Sequence, residues 1–216
     1  MSAGTQQVAG PWTPAPPQLV MAYSVCKGIT RSAAKNFYYA FRVLPEHKRN
    51  AMCAVYAFMR RADDIADNEA MPIAERREVM ARWVESWRAA RRSGISTDPV
   101  FVALNDTQKR FAIPDTLLEE LVQGTTMDLE PRPESEQVLQ TFATFDDLYR
   151  YCYLVASVVG LVCIKIFGYT DLSAEKLAEE TGVGVQIGPA AEALLTTVID
   201  AGGEWPDFAA VIEALS

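Results

Sequence analysis

The sequence predicts an all-α fold, on three observations. Apolar residues recur at three- and four-residue spacing, the long runs are free of Gly and Pro, and no stretch alternates apolar with polar residues as a half-buried strand would. With 216 residues, 50% hydrophobic and 22% charged, the chain is long enough to bury a core and too apolar to be disordered.

The elements follow in order. Residues 1–18 read as a disordered, Pro-rich arm, because Gly10-Pro11-Trp12-Thr13-Pro14-Ala15-Pro16-Pro17 neither sustains a helix nor supplies core mass. From Leu19 to Ser93 the pattern is helical, cut at Pro45 and Pro72 into spans of about 19–43, 46–69 and 73–92. The cluster Ser93-Gly94-Ile95-Ser96-Thr97-Asp98-Pro99 is a turn. Helices of about 99–111 and 114–127 come next, with Pro114 in the first turn, where its missing N–H costs nothing. Glu130-Pro131-Arg132-Pro133 is a loop. A helix over about 145–168 follows, and then one from Ser173, for which Ser173 and Lys176 make only a partial capping box. The most apolar run, 154–164, is too short for a bilayer span of ~20 residues and is expected as a buried helix at the centre of a bundle.

The net charge of −8 argues against general binding to nucleic acid. His47, the one histidine, excludes a multi-histidine zinc site and is expected on a polar surface turn. Cys26, Cys53, Cys152 and Cys163 are widely spaced with no CxxC, so buried reduced thiols in a cytoplasmic protein are expected. The start, Met-Ser-Ala-Gly-Thr-Gln-Gln, has neither a basic region nor an apolar core of a secretory signal.

Three stretches carry candidate chemistry. In the first, Asp63 and Asp67 lie four apart and share a helix face, close enough for both carboxylates to reach one Mg²⁺. Tyr56 and Arg60, seven and three residues before Asp63, fall on or beside that face. Such a stripe suits a diphosphate, which carboxylates hold through a bridging cation while Arg and Tyr meet its oxygens directly. A solvated helix end, with Arg60 and Arg61 as ordinary ion-pair partners of Asp63, Asp64 and Asp67, explains the same residues. In the second, Lys35 and Asn36 precede an aromatic run in which Phe37 and Phe41 share a face. Such rings can line a prenyl pocket and stabilise a carbocation, or simply pack a core. In the third, Ala156 and Gly160 form a small-residue groove, for a flat apolar ligand or for close helix packing.

Together these stretches resemble the squalene/phytoene synthase family, the head-to-head prenyltransferases. Residues 151–166, beginning Tyr151-Cys152-Tyr153-Leu154-Val155-Ala156-Ser157-Val158-Val159-Gly160, fit its first signature, and Asp63-Asp64-Ile65-Ala66-Asp67 resembles its first aspartate-rich motif. Tyr56-Ala57-Phe58-Met59-Arg60 matches the residues just before that motif. The resemblance runs from about Tyr23 to Gln186, and Ala34-Lys35-Asn36-Phe37-Tyr38-Tyr39 is closest to bacterial members that make squalene precursors for hopanoids. It implies an isoprenoid-synthase-like helical bundle, a single domain over 19–186, with a divergent tail at 187–216 in place of the family's last helices.

It also implies roles. Asp63 and Asp67 would hold Mg²⁺; Lys35, Asn36, Tyr56 and Arg60 would contact diphosphate; Phe37, Phe41, Val155 and Ala156 would line the prenyl site; and Gln186 opens the second signature. Tyr153 would face the reacting centre. The implied reaction joins two prenyl diphosphates, farnesyl first and geranylgeranyl as the longer alternative, into a presqualene- or prephytoene-type product of hopanoid or carotenoid biosynthesis. Peripheral contact with the inner membrane surface would suit such lipophilic substrates, although no basic amphipathic helix argues for it. No G-x-G-x-x-G supports a nicotinamide site.

The sequence departs from the family where Ala34 and Asn36 replace serines and, after Gln186, where Pro189 and Ala193 stand at the Asn and Asp positions of the second aspartate-rich motif. A remnant that binds prenyl diphosphate or a partner synthase without turnover is therefore the second expectation.

Overall fold

The structure, a computed structural model, describes residues 16–127, 129, 145–171 and 173–174. All regular structure among them is helical, as expected. The chain divides into two compact units, Met1–Pro114 and Asp115–Ser216, with the division falling inside the stretch 19–186 expected as one helical domain. Most of the expected arm and the tail at 187–216 lie outside the described residues.

The first unit begins with α1 (Pro17–Ala33), whose opening proline sits at the first helical position, inside the stretch expected as arm. The expected 19–43 helix is two helices: Ala34, at φ −144° and ψ 81°, leaves helical geometry, and α2 (Lys35–Phe41) restarts in a new direction. No Gly or Pro marks this break. Its reward is tertiary, because the new direction sets the Phe37 ring 6.0 Å from that of Tyr56 on the next helix.

That helix, α3 (Glu46–Ala66), buries Ala51, Cys53, Ala54, Ala57, Phe58 and Ala62. Its alanines let α1 and α5 (Pro99–Phe111) approach closely, and α1, α3 and α5 pack on one another. Helix α4 (Ile73–Ser93) closes the unit with an aromatic cluster: Phe58 lies 4.9 Å from Trp83 and 5.1 Å from Trp87, and Trp83 lies 5.7 Å from Phe101. Each such ring pair adds about 0.5–1.5 kcal/mol beyond its burial. The turn after α4 uses Gly94 at φ 71°, and α5 is capped by Asp98, which accepts from the Val100 N–H at 2.8 Å. Tyr23 of α1 ties the helices further, donating to Asp106 at 2.6 Å.

The second unit holds α6 (Asp115–Met127), α7 (Phe145–Cys152), a π-helical turn (Tyr153–Ser157) and α8 (Val158–Phe167). Leu117, Leu118, Leu121 and Val122 of α6 are buried, as are Leu154, Val158, Leu161, Val162 and Ile166, and α6 packs on the π turn and α8. Tyr149–Phe167 is long and apolar enough to cross a membrane by length and composition alone, and 33% of it is buried inside the protein. Beyond α8, the Asp171 carboxylate accepts from the Ser173 N–H at 2.9 Å, and Lys176 of the expected partial capping box lies outside the described residues.

Candidate active site

The acidic end of α3 is built by its last turn. Asp63 is half-buried, Asp64 and Asp67 are exposed, and the Asp67 N–H closes the helix on the Asp63 carbonyl at 2.8 Å. No basic residue stands in that turn. Three carboxylates at the negative end of a helix dipole are unfavourable, each by about 0.3–1 kcal/mol, which a bound cation would relieve. Arg76 of α4 offsets part of this by donating to the Ala66 carbonyl at 2.6 Å. That contact is invisible in sequence, since nothing local links Arg76 to α3.

Tyr56 and Arg60 lie up the same helix, both half-buried. Arg60 bonds Asp64 at 2.7 Å. Burial raises the Tyr56 hydroxyl above its ordinary value; Arg60 pulls it down, and Asp63 and Asp64 push it up again. Tyr56 therefore feels Arg60, Asp63 and Asp64, as the helical spacing predicts, and it stays a protonated donor. The Phe37 ring stacks on Phe41 at 6.3 Å as well as meeting Tyr56, so the aromatic face of α2 joins the polar stripe of α3. Phe37 remains 50% exposed, more open than core packing would leave it. Lys35 and Asn36 are exposed in the first turn of α2.

In the second unit, the Tyr153 hydroxyl donates to Glu120 of α6 at 3.5 Å, a partner that sequence reasoning missed. Val155 is exposed and Ala156 half-buried. The expected groove at Ala156 and Gly160 is not where the helices come closest. Gly160 is exposed and open, whereas a Cβ at Gly124 of α6 would stand 3.1 Å from the Leu154 carbonyl oxygen. The π turn, which shifts the four-residue register the groove assumed, accounts for the difference. Gln186 lies outside the described residues.

Among the described residues no three His, Cys, Asp or Glu side chains gather as a metal cage. The donors at Asp63 and Asp67 nevertheless fit Mg²⁺, which takes hard oxygen ligands and is commonly held by one or two carboxylates plus substrate phosphates. All four cysteines are free; Cys26 and Cys53 are buried as expected, and Cys152 and Cys163 are half-buried. His47 is exposed, stacked on Phe111.

Known proteins resemble this chain in sequence and in fold. The squalene/phytoene synthase family pattern matches residues 30–188. A phytoene synthase of Mycobacterium tuberculosis is 36% identical over 169 residues, 78% of this chain and 52% of that protein. Of solved structures, the squalene synthase HpnC from Alicyclobacillus acidocaldarius superposes with a TM-score of 0.65 at 29% identity, covering 82% of this chain and 62% of that one. A ligand-bound dehydrosqualene synthase gives 0.59 at 27% identity, covering 80% and 56%. The chain spans about half the length of the curated relatives it matches.

Proposed function

The chain belongs to the squalene/phytoene synthase family, and we propose that it takes part in Mg²⁺-dependent head-to-head condensation of two prenyl diphosphates in the cytoplasm. Farnesyl diphosphate is the first candidate substrate and geranylgeranyl diphosphate the second. The observation that carries this reading is the single stripe of Tyr56, Arg60 and Asp63 on α3, flanked by the Phe37–Phe41 face.

In this reading Asp63 and Asp67 would hold Mg²⁺, which when bound supplies positive charge to the departing diphosphate, where negative charge develops. The chain's own groups do the rest. Lys35, Asn36 and Arg60 bind diphosphate oxygens, and the Tyr56 hydroxyl, kept protonated by burial, donates to one. Arg60 must leave Asp64 to do so. That exposed pair is worth at most about 1 kcal/mol, so a multiply charged diphosphate outcompetes it. The Phe37 and Phe41 rings face the prenyl chain, exclude water and stabilise allylic positive charge through their π faces. In the second unit, Tyr153, whose hydroxyl donates to Glu120, is assigned to the reacting centre, and Val155, Ala156 and Gln186 to substrate binding.

A second reading is favoured by Pro189 and Ala193, which replace the Asn and Asp of the second motif. On that reading the chain binds prenyl diphosphate, or a partner synthase, without turnover. One experiment separates the two: the purified chain is incubated with Mg²⁺ and each prenyl diphosphate, pyrophosphate release is followed, and extracted products are weighed by mass spectrometry. Condensation predicts a C30 or C40 product that Asp63→Asn abolishes with the fold intact by circular dichroism. Release that persists in Asp63→Asn sinks the metal assignment, and a folded wild type that releases none leaves the remnant.

A further inference from the structure

Helix α3 stops without the device that ends its neighbours. Helices α4 and α5 run into a left-handed residue, Gly94 at φ 71° and Ala112 at φ 48°, a conformation that turns the chain back on the last carbonyls. Helix α3 instead runs into Asp67 at φ −87° and ψ 1°. Its final carbonyl, that of Ala66, is served from another element: Nη1 of Arg76, in the first turn of α4, donates to it at 2.6 Å. Nε of the same guanidinium is buried with no hydrogen-bond partner. An N–H buried in this way is unfavourable, and the bond to Ala66 offsets it. The connection between the two helices is pinned as well. The Glu69 N–H donates to the Asp67 carbonyl at 2.8 Å, and Asn68 accepts from the Ala70 N–H through its side chain at 3.2 Å and from the Met71 N–H through its carbonyl at 3.0 Å. Across this end lie the two expected metal ligands: Asp63 half-buried within the helix, and Asp67 exposed at its limit, where helices fray.

We propose that Arg76 is a positioning residue for this pair: by fixing the last turn of α3 it keeps Asp67 one turn from Asp63, so that both carboxylates serve one Mg²⁺. The inference rests on the reading of Asp63 and Asp67 as Mg²⁺ ligands and deepens it. Two effects of Arg76 oppose each other. As a positive charge beside the acidic end it repels a divalent cation, so its removal would tighten metal binding. As a clamp on the last turn it holds a ligand in place, so its removal would weaken metal binding. The clamp prevails, because Asp64 and Asp67 are exposed and water screens the repulsion, whereas a cation held by two carboxylates loses half its protein ligands when one of them wanders.

The test measures the affinity of the full chain for Mn²⁺, which takes the same oxygen ligands as Mg²⁺ and is read by the fall in the electron paramagnetic resonance of the free ion. Wild type is expected to bind an ion that Mg²⁺ displaces and that Asp63→Asn removes; no such ion overturns the metal reading, and this inference with it. Given that ion, Arg76→Met, which keeps the apolar stem and loses the donors, should weaken Mn²⁺ by about tenfold, as loss of a supporting contact behind metal ligands does. Arg76→Lys, which keeps a charged donor, should recover most of that loss. Val84→Ala, at a buried position farther along α4, lowers stability but should leave Mn²⁺ affinity unchanged, which separates lost position from lost stability. A folded Arg76→Met that binds Mn²⁺ as tightly as wild type or more tightly overturns the inference and leaves the metal reading standing, as does equal weakening by Val84→Ala. Hydrogen exchange of metal-free wild type needs no variant: the Asp67 amide, bonded to the Asp63 carbonyl at 2.8 Å, should be protected, and fast exchange there overturns the inference because the turn is then not held.

Discussion

Tyr23 shows how much one hydroxyl can carry. It donates to Asp106 at 2.6 Å, lies 3.1 Å from the Thr107 hydroxyl, and is held far above its ordinary value first by burial and then by Asp106. Asp106 in turn takes Arg110 at 3.2 Å, so the hydroxyl links α1 to a charged pair on α5. A phenol held protonated in the folded chain ionises earlier in the unfolded one. The unfolded state then binds fewer protons, and stability falls as pH rises above about 10. Tyr23→Phe should flatten that alkaline loss, and at neutral pH it should cost about 1–2 kcal/mol for the lost bond to a carboxylate. Urea titrations of both proteins at neutral pH and near pH 11 read both effects. The thiols tell a simpler story, because burial pushes Cys26 up to about 12. Iodoacetamide at pH 8 should label Cys26 only after unfolding, as peptide mapping would show.

Glycine marks where elements meet and where they do not. At Gly124 an added methyl would meet the backbone carbonyl of Leu154 at 3.1 Å, and backbone cannot swing aside as a side chain would. Overpacking costs about 1–3 kcal/mol, and helix propensity returns up to about 1, so Gly124→Ala should destabilise by about 1 kcal/mol. Gly28, in the middle of α1, has open space around it, and Gly28→Ala should instead stabilise by about 0.5–1 kcal/mol. Thermal melts of the pair, read side by side, separate close approach from propensity. The break at Ala34 belongs to this scale as well. Helix propensity favours continuing through Ala34, and the packing of α2 against α3 overrides it.

For the whole chain, binding should appear as stability. If the α3 stripe holds a diphosphate through Mg²⁺, farnesyl diphosphate and Mg²⁺ together, at 100 times the dissociation constant, should add about 2.7 kcal/mol. Either alone should add less, and Asp67→Asn should remove most of the gain; scanning fluorimetry with each component omitted in turn checks this. No shift from the complete mixture would leave a helical protein without this ligand. The sequence by itself determined the all-α class, nearly every helix boundary set by Pro, Gly or Asp, and the nearness of Arg60 and Asp63 to Tyr56, because each depends on spacing along one helix. The tertiary structure decided the break at Ala34, the Phe37–Tyr56 contact, the Arg76 bond to Ala66, and the π turn with Gly124 against it. Periodicity reports which residues share a face of one element, but a contact between elements depends on how those elements pack, and packing energy is not local in sequence.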